Sequence, residues 1–355
     1  MSNVHNGLEG IVAAETRLSM VDGERGELVI AGYRVEDLAP QASFEEVAAL
    51  LFEAAGSACE VKAAALPPQS MALLRAVARE RVEVMDALRM AAGTLRERDL
   101  PGAFPTIVAS YWRLVHEEEP LAPRADLGYA ANYLYMLTGR APQAEQVRGL
   151  ETYLNTVADH GLNASTFTAR VIASTGSDLV SAVTGAIGAL KGPLHGGAPG
   201  PALDMVFEIG EASRAEAVLR RKIESGERLM GFGHRVYKVR DPRADVLAAA
   251  AERMFTRGGD MRLYNLARSV EATALRLLEE YKPGRRLQTN VEFYTALLLH
   301  GLGLEVPLFT PTFAISRVAG WLAHCVEQRR AGRIIRPQSV YVGDVPKPSR
   351  AAAVH

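Results

Sequence analysis

Three kinds of side chain here could do acid–base chemistry on a small anion: histidines in glycine-containing loops, arginines near helix starts or on apolar faces, and one glutamate opening an apolar helix. The densest stretch is Gly231-Phe232-Gly233-His234-Arg235-Val236-Tyr237-Lys238-Val239-Arg240-Asp241-Pro242-Arg243. Asp241-Pro242 reads as an N-cap followed by proline at the first helical position, where its missing N–H costs nothing. Arg243 then falls in the first helical turn, beside unpaired backbone N–H groups and the positive end of the dipole. A cation is disfavoured there unless an anion is bound. The stretch therefore reads as an anion pocket with a histidine facing the ligand, or as a basic surface turn.

His160, His195, His234 and His300 all stand in or beside glycine-containing loops. His195 is the most informative by position, because Gly192-Pro193-Leu194-His195-Gly196-Gly197 follows a small-residue helix and lets backbone approach a ligand. His160 precedes Gly161 at a helix end, where a cation favourable to the dipole is the plainer reading. Glu292 also admits two readings. Thr289-Asn290-Val291-Glu292 fits a capping box that would consume the carboxylate. Yet Phe293, Tyr294 and Leu297 follow, and a carboxylate facing a dry pocket would have a raised pKa and serve as a general base. Arg243, Arg317 and Arg336 lie beside helix starts or on otherwise apolar helices, with Arg317 sharing a face with Trp321. Bidentate pairing to a carboxylate explains such placements, and so does a salt bridge. No H-E-x-x-H, Cys/His cluster or G-x-x-x-x-G-K-[ST] is present, and Gly231-x-Gly233 follows no strand, so zinc, phosphate-loop and dinucleotide sites are not indicated.

The elements that must position these groups are helices. From Ser43 onward the apolar period is 3.6, opening with the capping box Ser43-Phe44-Glu45-Glu46. Further helices are predicted over 71–95, 104–115, 127–137, about 147–157, 181–190, 212–223, 244–255, 263–280, 291–301 and 314–329. Lys191 to Pro201 reads as a loop, and Thr310-Pro311-Thr312 as a stop before the last helix. Gly185 and Gly188 predict a close backbone approach at a domain or subunit centre. Residues 8–35 predict one or two small hairpins around Asp22-Gly23 and Gly32. The tail from Asp344 is Pro-, Lys- and Ala-rich and reads as frayed.

The totals set outer bounds. At 355 residues two domains are the default, and 48% hydrophobic with 23% charged residues describes an ordinary globular protein. A formal charge of -1 argues against nucleic acid and against a polybasic membrane surface. Cys59 and Cys325 give no disulfide framework, which suits a reducing cytoplasm, and Met1 to Glu15 shows no signal-peptide pattern.

Taken together, Asp22-Gly23-Glu24-Arg25-Gly26…Gly32-Tyr33, Asp-His-Gly-Leu-Asn-Ala-Ser-Thr (159–166), Gly-Pro-Leu-His-Gly-Gly (192–197), the 231–243 stretch, Asn-Val-Glu-Phe-Tyr (290–294) and Arg-Pro-Gln-Ser (336–339) resemble the citrate synthase family, in that family's order. The resemblance runs from about Leu8 to Val342 and is to the short dimeric bacterial and archaeal type. It implies an all-α two-domain fold, with a large domain of 1–195 and 298–355 and an inserted small domain of 196–297. It implies condensation of acetyl-CoA with oxaloacetate, with CoA as a substrate and no metal or organic cofactor, in a cytoplasmic homodimer. Under it His195 stabilises the enol of the thioester, His234 polarises the oxaloacetate ketone, and Glu292 removes the methyl proton. Arg243, Arg317 and His160 hold oxaloacetate, and Arg336 is contributed across the dimer interface. Leu229, Met230, Gly231 and Gly233 meet the adenine of CoA through their main chain, and Lys238, Asn290 and Arg286 (or Arg285) its phosphates or pantetheine arm. The family ordinarily carries aspartate where Glu292 stands. One extra methylene displaces the carboxylate by an amount of order 1 Å, a misplacement that can cost ~10²-fold in rate. The departure keeps open a propionyl-CoA-using 2-methylcitrate synthase, and a catalytically weak paralogue that binds CoA or dicarboxylate as a regulator.

Overall fold

The computed structural model describes residues 6–8, 10–196, 199–234, 236–237, 239–258 and 260–343. The tail from Asp344, Lys238, Arg235 and Gly197 lie outside the described residues. The chain opens with a three-stranded antiparallel sheet, β1 (Ser19–Asp22), β2 (Glu27–Ile30) and β3 (Tyr33–Arg34), turning where Asp22-Gly23 and Gly32 predict. The Asp22 carboxylate shapes the first turn by accepting from the amides of Glu24 and Arg25 at 3.0 and 2.9 Å.

Among the described residues, everything regular after that is helical, apart from one isolated bridge. α1 (Val35–Leu38) leads to α2 (Phe44–Ala54), whose capping box closes as expected: Ser43 N–H donates to Glu46 at 2.7 Å and Glu46 N–H to Ser43 Oγ at 3.3 Å. The helix predicted over 71–95 is two helices, α3 (Pro68–Arg79) and α4 (Val84–Ala92), parted by Arg81 in the left-handed region at φ 49°. Both pack on α5 (Leu100–Val115), so both apolar stripes face the same partner and the period survives the break. α6 (Tyr129–Thr138), α7 (Ala144–Val157), α8 (Ala164–Ser174) and α9 (Leu179–Leu190) follow, the last two capped by Asn163 and Asp178. Gly185 does admit a close neighbour, since a Cβ there would collide with Ile172 of α8. Gly188 faces open space instead.

α10 (Pro199–Ile209) begins inside the stretch read as a loop. Its prolines sit in the first turn, where the amides they lack have no helical partner anyway. The same holds for Pro311, which lies inside the last helix rather than before it. α11 (Ala215–Glu224), α12 (Pro242–Gly258), α13 (Arg262–Tyr281), α14 (Val291–Gly301) and α15 (Phe309–Ala331) complete the chain. No single described helix is long and apolar enough to cross a membrane.

α15 is the axle of the core and packs against α2, α4, α5, α7, α8 and α9. A helix buried on all sides must satisfy every polar group it carries. Its polar residues do so mainly along the side facing α7 and the loop beyond it. Ser316 Oγ donates to Leu154 O at 2.5 Å, Arg317 Nε to Val157 O at 2.7 Å, and Trp321 Nε1 to Ser165 Oγ at 3.1 Å. His324 Nε2 lies 3.1 Å from the Asp159 carboxylate. Backbone approach is closest at Gly320, where a Cβ would collide with Ala158 O and lie 2.9 Å from Asp159 Oδ1. Gly320→Ala should therefore cost ~1–3 kcal/mol or more in urea denaturation, because the neighbour is main chain and cannot rotate away.

Candidate active site

Six of the candidate residues converge where α7, α9, α12, α14 and α15 present their ends or faces. Two helix starts supply opposite charges. At α12, Asp241 is completely buried and accepts from the Arg243 main-chain amide at 3.0 Å, and from its Nε and Nη2 at 3.0 and 2.7 Å. The anion demanded by a first-turn arginine is thus the chain's own cap residue. Burial works against the Arg243 charge, yet Asp241 holds its pKa above the ordinary arginine value.

At α14 the cap is Asn290, not Thr289. Asn290 Oδ1 accepts from the Glu292 amide at 3.0 Å, while the Thr289 hydroxyl donates to Glu271 at 2.7 Å. Glu292 therefore stands one position too early for a capping box, and its carboxylate is left for the site. Burial raises its pKa to about 7, against a smaller lowering by Arg243. A carboxyl so raised is suited to exchange a proton near neutrality.

The three site histidines are all held neutral. His234 Nδ1 accepts from the Val236 and Tyr237 amides at 3.0 and 3.1 Å, so its proton resides on Nε2. That Nε2–H lies 3.4 Å from Arg243 Nη2. Two donors face one another there, an arrangement completed by an oxygen that accepts from both. His195 is fixed in the opposite tautomer. The Ser165 amide donates to its Nε2 at 3.4 Å, with the Ser165 hydroxyl at 2.8 Å, so the proton sits on Nδ1. Burial, then Arg243 for His234 and Arg317 for His195, push both rings down to about 4. His160 contacts Tyr237 OH at 3.2 Å, and its ring centroid is 6.0 Å from that of His234. Burial, Arg243, Arg317 and His234 hold it well below the ordinary histidine value. The favourable helix-end cation expected of His160 is therefore not what it is: a ring among two guanidiniums stays uncharged.

Arg317 is buried, makes one side-chain hydrogen bond among the described residues, and lies 4.7 Å from the centre of the Phe313 ring. Burial pulls it down to about 10. Its terminal nitrogens are thus short of acceptors in a dry site, which suits a ligand carboxylate. Behind it Asp159 is clasped by Ser19 Oγ at 2.5 Å and by His324, whose other nitrogen takes a hydrogen bond from Arg170 at 2.9 Å. Ser19 Oγ in turn accepts from the Gly161 amide at 2.8 Å, so the loop bearing His160 is tied to the N-terminal sheet.

The 231–233 turn lies against the approach to α14. Phe232 bridges Thr289, Gly233 N–H donates to Gln288 O at 2.7 Å, and Asn290 N–H to Gly231 O at 2.9 Å. Asn290 Nδ2 donates to Gly233 O at 2.7 Å, so that side chain is engaged within the chain at both ends. Gly231 and Gly233 have φ of 88° and 82°, a region that glycine enters without strain. Leu229 is buried and Met230 half-buried beside them. Arg286 and Arg336 are exposed, Arg336 in the extended segment beyond α15 rather than beside a helix start, and neither joins the cluster. His300 packs on Phe207 at 5.2 Å, away from the other three histidines. Among the described residues no group of His, Cys, Asp and Glu is placed to hold a metal ion.

The sequence reading missed Ser165, Tyr237, His324 and Tyr153. Tyr153, fully buried on α7, lies within electrostatic reach of Glu292, Arg317 and Arg243. Its position among Leu150, Leu154 and Val157 makes it look like ordinary core. Tyr237 does lie within the 231–243 stretch, and an aromatic there, among cations, is the one signal that could have found it.

The family model described as citrate synthase, C-terminal domain, matches residues 7–338. Citrate synthase 2 of Bacillus subtilis is 39% identical, over 95% of this chain and 95% of its own. The 2-methylcitrate synthase of Mycobacterium tuberculosis is 37% identical, over 96% of this chain and 91% of its own. The fold superposes with TM-score 0.87 on the ternary complex of Thermoplasma acidophilum citrate synthase with carboxymethyl coenzyme A and oxaloacetate, at 29% identity and 100% coverage of both chains.

Proposed function

The chain belongs to the citrate synthase family, and we propose that it is an acyltransferase joining acetyl-CoA, oxaloacetate and water into citrate and CoA. The observation that carries this reading is the gathering, around the buried Arg243 and Arg317, of Glu292, a carboxyl raised to about 7, and of His195 and His234, two neutral rings whose protons are fixed on opposite nitrogens. Drawing a proton from carbon beside a thioester needs a base and a hydrogen-bond donor acting together. Glu292 takes a methyl proton while His195 Nδ1–H donates to the thioester oxygen. The enol carbon then forms its bond to the ketone carbon of oxaloacetate, and the carbonyl electron pair takes the proton of His234 Nε2. Arg243 and Arg317 neutralise the dicarboxylate, with His160 alongside, and water finally cleaves the citryl thioester to release CoA.

CoA enters as a substrate, and protein side chains carry the proton transfers. Its adenine lies on the main chain of Leu229, Met230, Gly231 and Gly233, held in shape by Asn290, with its phosphates assigned to Arg286 and to Lys238, which lies outside the described residues. Residues 196–297 form the smaller domain, which closes onto the rest and excludes water. The enzyme works as a cytoplasmic homodimer in which Arg336 completes the partner's site. The exposure of Arg336, Val340, Tyr341 and Val342 beyond α15 supports that arrangement.

The similarity to a 2-methylcitrate synthase supports a second acyl donor, propionyl-CoA. A propionyl group asks the acyl pocket to hold one methylene more than an acetyl group does. Specificity constants for the two thioesters should therefore favour acetyl-CoA by ~10-fold or more, the scale one methylene carries in a tight pocket. A propionyl preference would overturn the acetyl reading. Absence of CoA release from either thioester would leave the regulatory paralogue.

A further inference from the structure

One buried carboxylate away from the reactants joins the two halves of the catalytic cluster. Glu271, in the middle of α13, is 4% exposed and accepts four hydrogen bonds from side chains. Its Oε1 takes Arg240 Nη1 at 2.7 Å and Thr289 Oγ1 at 2.7 Å. Its Oε2 takes Tyr294 OH at 2.5 Å and Arg268 Nη1 at 2.7 Å. Arg268 closes the ring by donating to Tyr294 at 2.8 Å. The donors are placed with a pattern. Arg240 immediately precedes Asp241, which holds Arg243. Thr289 immediately precedes the cap residue Asn290, and Tyr294 follows Glu292 by two. The Asp241 amide also reaches Thr289 O at 3.4 Å, so the two segments are in direct main-chain contact at this point.

We propose that Glu271 is a positioning residue that fixes the base Glu292 relative to the Arg243 clamp. The proposal rests on the reading of Glu292 as the base. Each oxygen of Glu271 is shared between the clamp side or α13 and the α14 side, so neither segment can shift alone without lengthening a charge-assisted hydrogen bond. The adjoining groove of about 410 Å³ carries Arg240 and Arg268 against Asp245 and Glu271. Its two cations face two anions and all are paired, with Arg240 Nε on Asp245 at 2.5 Å, so the cluster is an internal clasp and not an anion site.

The test is Glu271→Gln, which keeps the shape and removes the charge, with Tyr294→Phe as a milder variant. Assayed well below their melting temperatures, Glu271→Gln should lose ~10–100-fold in kcat and Tyr294→Phe ~3–10-fold, as sub-ångström misplacement of a base predicts. The KM for oxaloacetate should move less than about threefold, because Asp241 still holds Arg243. The isotope effect on kcat with methyl-deuterated acetyl-CoA should rise in both variants, since proton removal becomes the slow step. A merely stabilising cluster would lower the melting temperature and leave kcat and the isotope effect at parental values, and that result overturns the proposal. If Glu271→Gln does not fold, Tyr294→Phe decides by the same two readouts. Glu292→Gln measured alongside separates the premises: parental turnover there removes the base itself, whereas a dead Glu292→Gln beside a parental Glu271→Gln removes only the positioning role.

Discussion

Glu292→Gln lowers kcat by ~10²–10⁴-fold and leaves the KM for acetyl-CoA within a few-fold, the loss expected when a positioned general base is removed without changing shape. In the parent, kcat/KM for acetyl-CoA should fall as pH drops below about 7, because burial raises the carboxyl to that value in the ligand-free protein and only its deprotonated form can accept the methyl proton. The acid limb disappears in the Gln variant. Glu292→Asp keeps the base and retains or raises turnover. The stability effect runs the other way. A carboxyl raised from 4.5 to about 7 by folding destabilises the native state progressively across that window and fully above it. Glu292→Gln should therefore raise the melting temperature at pH 8 and do so hardly at all near pH 5. Turnover in Glu292→Gln equal to the parent would remove this residue from the base role.

Arg243→Leu is the second large effect, and it has two parts. It strands Asp241, which has no exposed surface, and breaking a buried pair of this kind costs ~3–5 kcal/mol. If Arg243 clamps oxaloacetate as proposed, the substitution also removes two or more charge-assisted hydrogen bonds to the dicarboxylate, worth ~1.5–3 kcal/mol each, so oxaloacetate affinity should drop by ~10²-fold or more. The double variant Asp241→Asn/Arg243→Leu separates the parts. Asparagine still caps α12 and carries no charge, so stability in urea recovers substantially while oxaloacetate affinity measured by calorimetry does not. Parental oxaloacetate binding in the double variant would show that Arg243 serves only the fold.

Much of this was legible in the sequence because the informative signals are local. The Asp241-Pro242 cap, the Ser43 box and the bounds of α14 depend on residues a few positions apart, and they appear where the sequence places them. What was not legible depends on three-dimensional company. Arg81 enters the left-handed region with no glycine or proline to announce it, so one helix was read where two exist. Pro199 and Pro311 look like breakers until their place in a first turn is known. His160 resembles a charged helix end unless the two guanidiniums beside it are seen. Tyr153 and His324 are spaced like core, and the partners that make them notable come from other helices. Glu292 turned on one residue of register: with the cap at Asn290 rather than Thr289, the same four letters leave the carboxylate uncommitted.

The seam between the 231–233 turn and the start of α14 bears on how such a chain can diverge. Asn290 and Gly233 are 57 positions apart, yet one side chain both caps the helix that carries Glu292 and holds the turn's carbonyl. A Cβ added at Gly231 would lie 2.9 Å from Phe293, the residue next to the base. The turn and the first residues of α14 are therefore one mechanical unit, and neither can be reshaped alone. A substitution that moves the turn is thereby transmitted to the first turn of α14 and to the placement of Glu292.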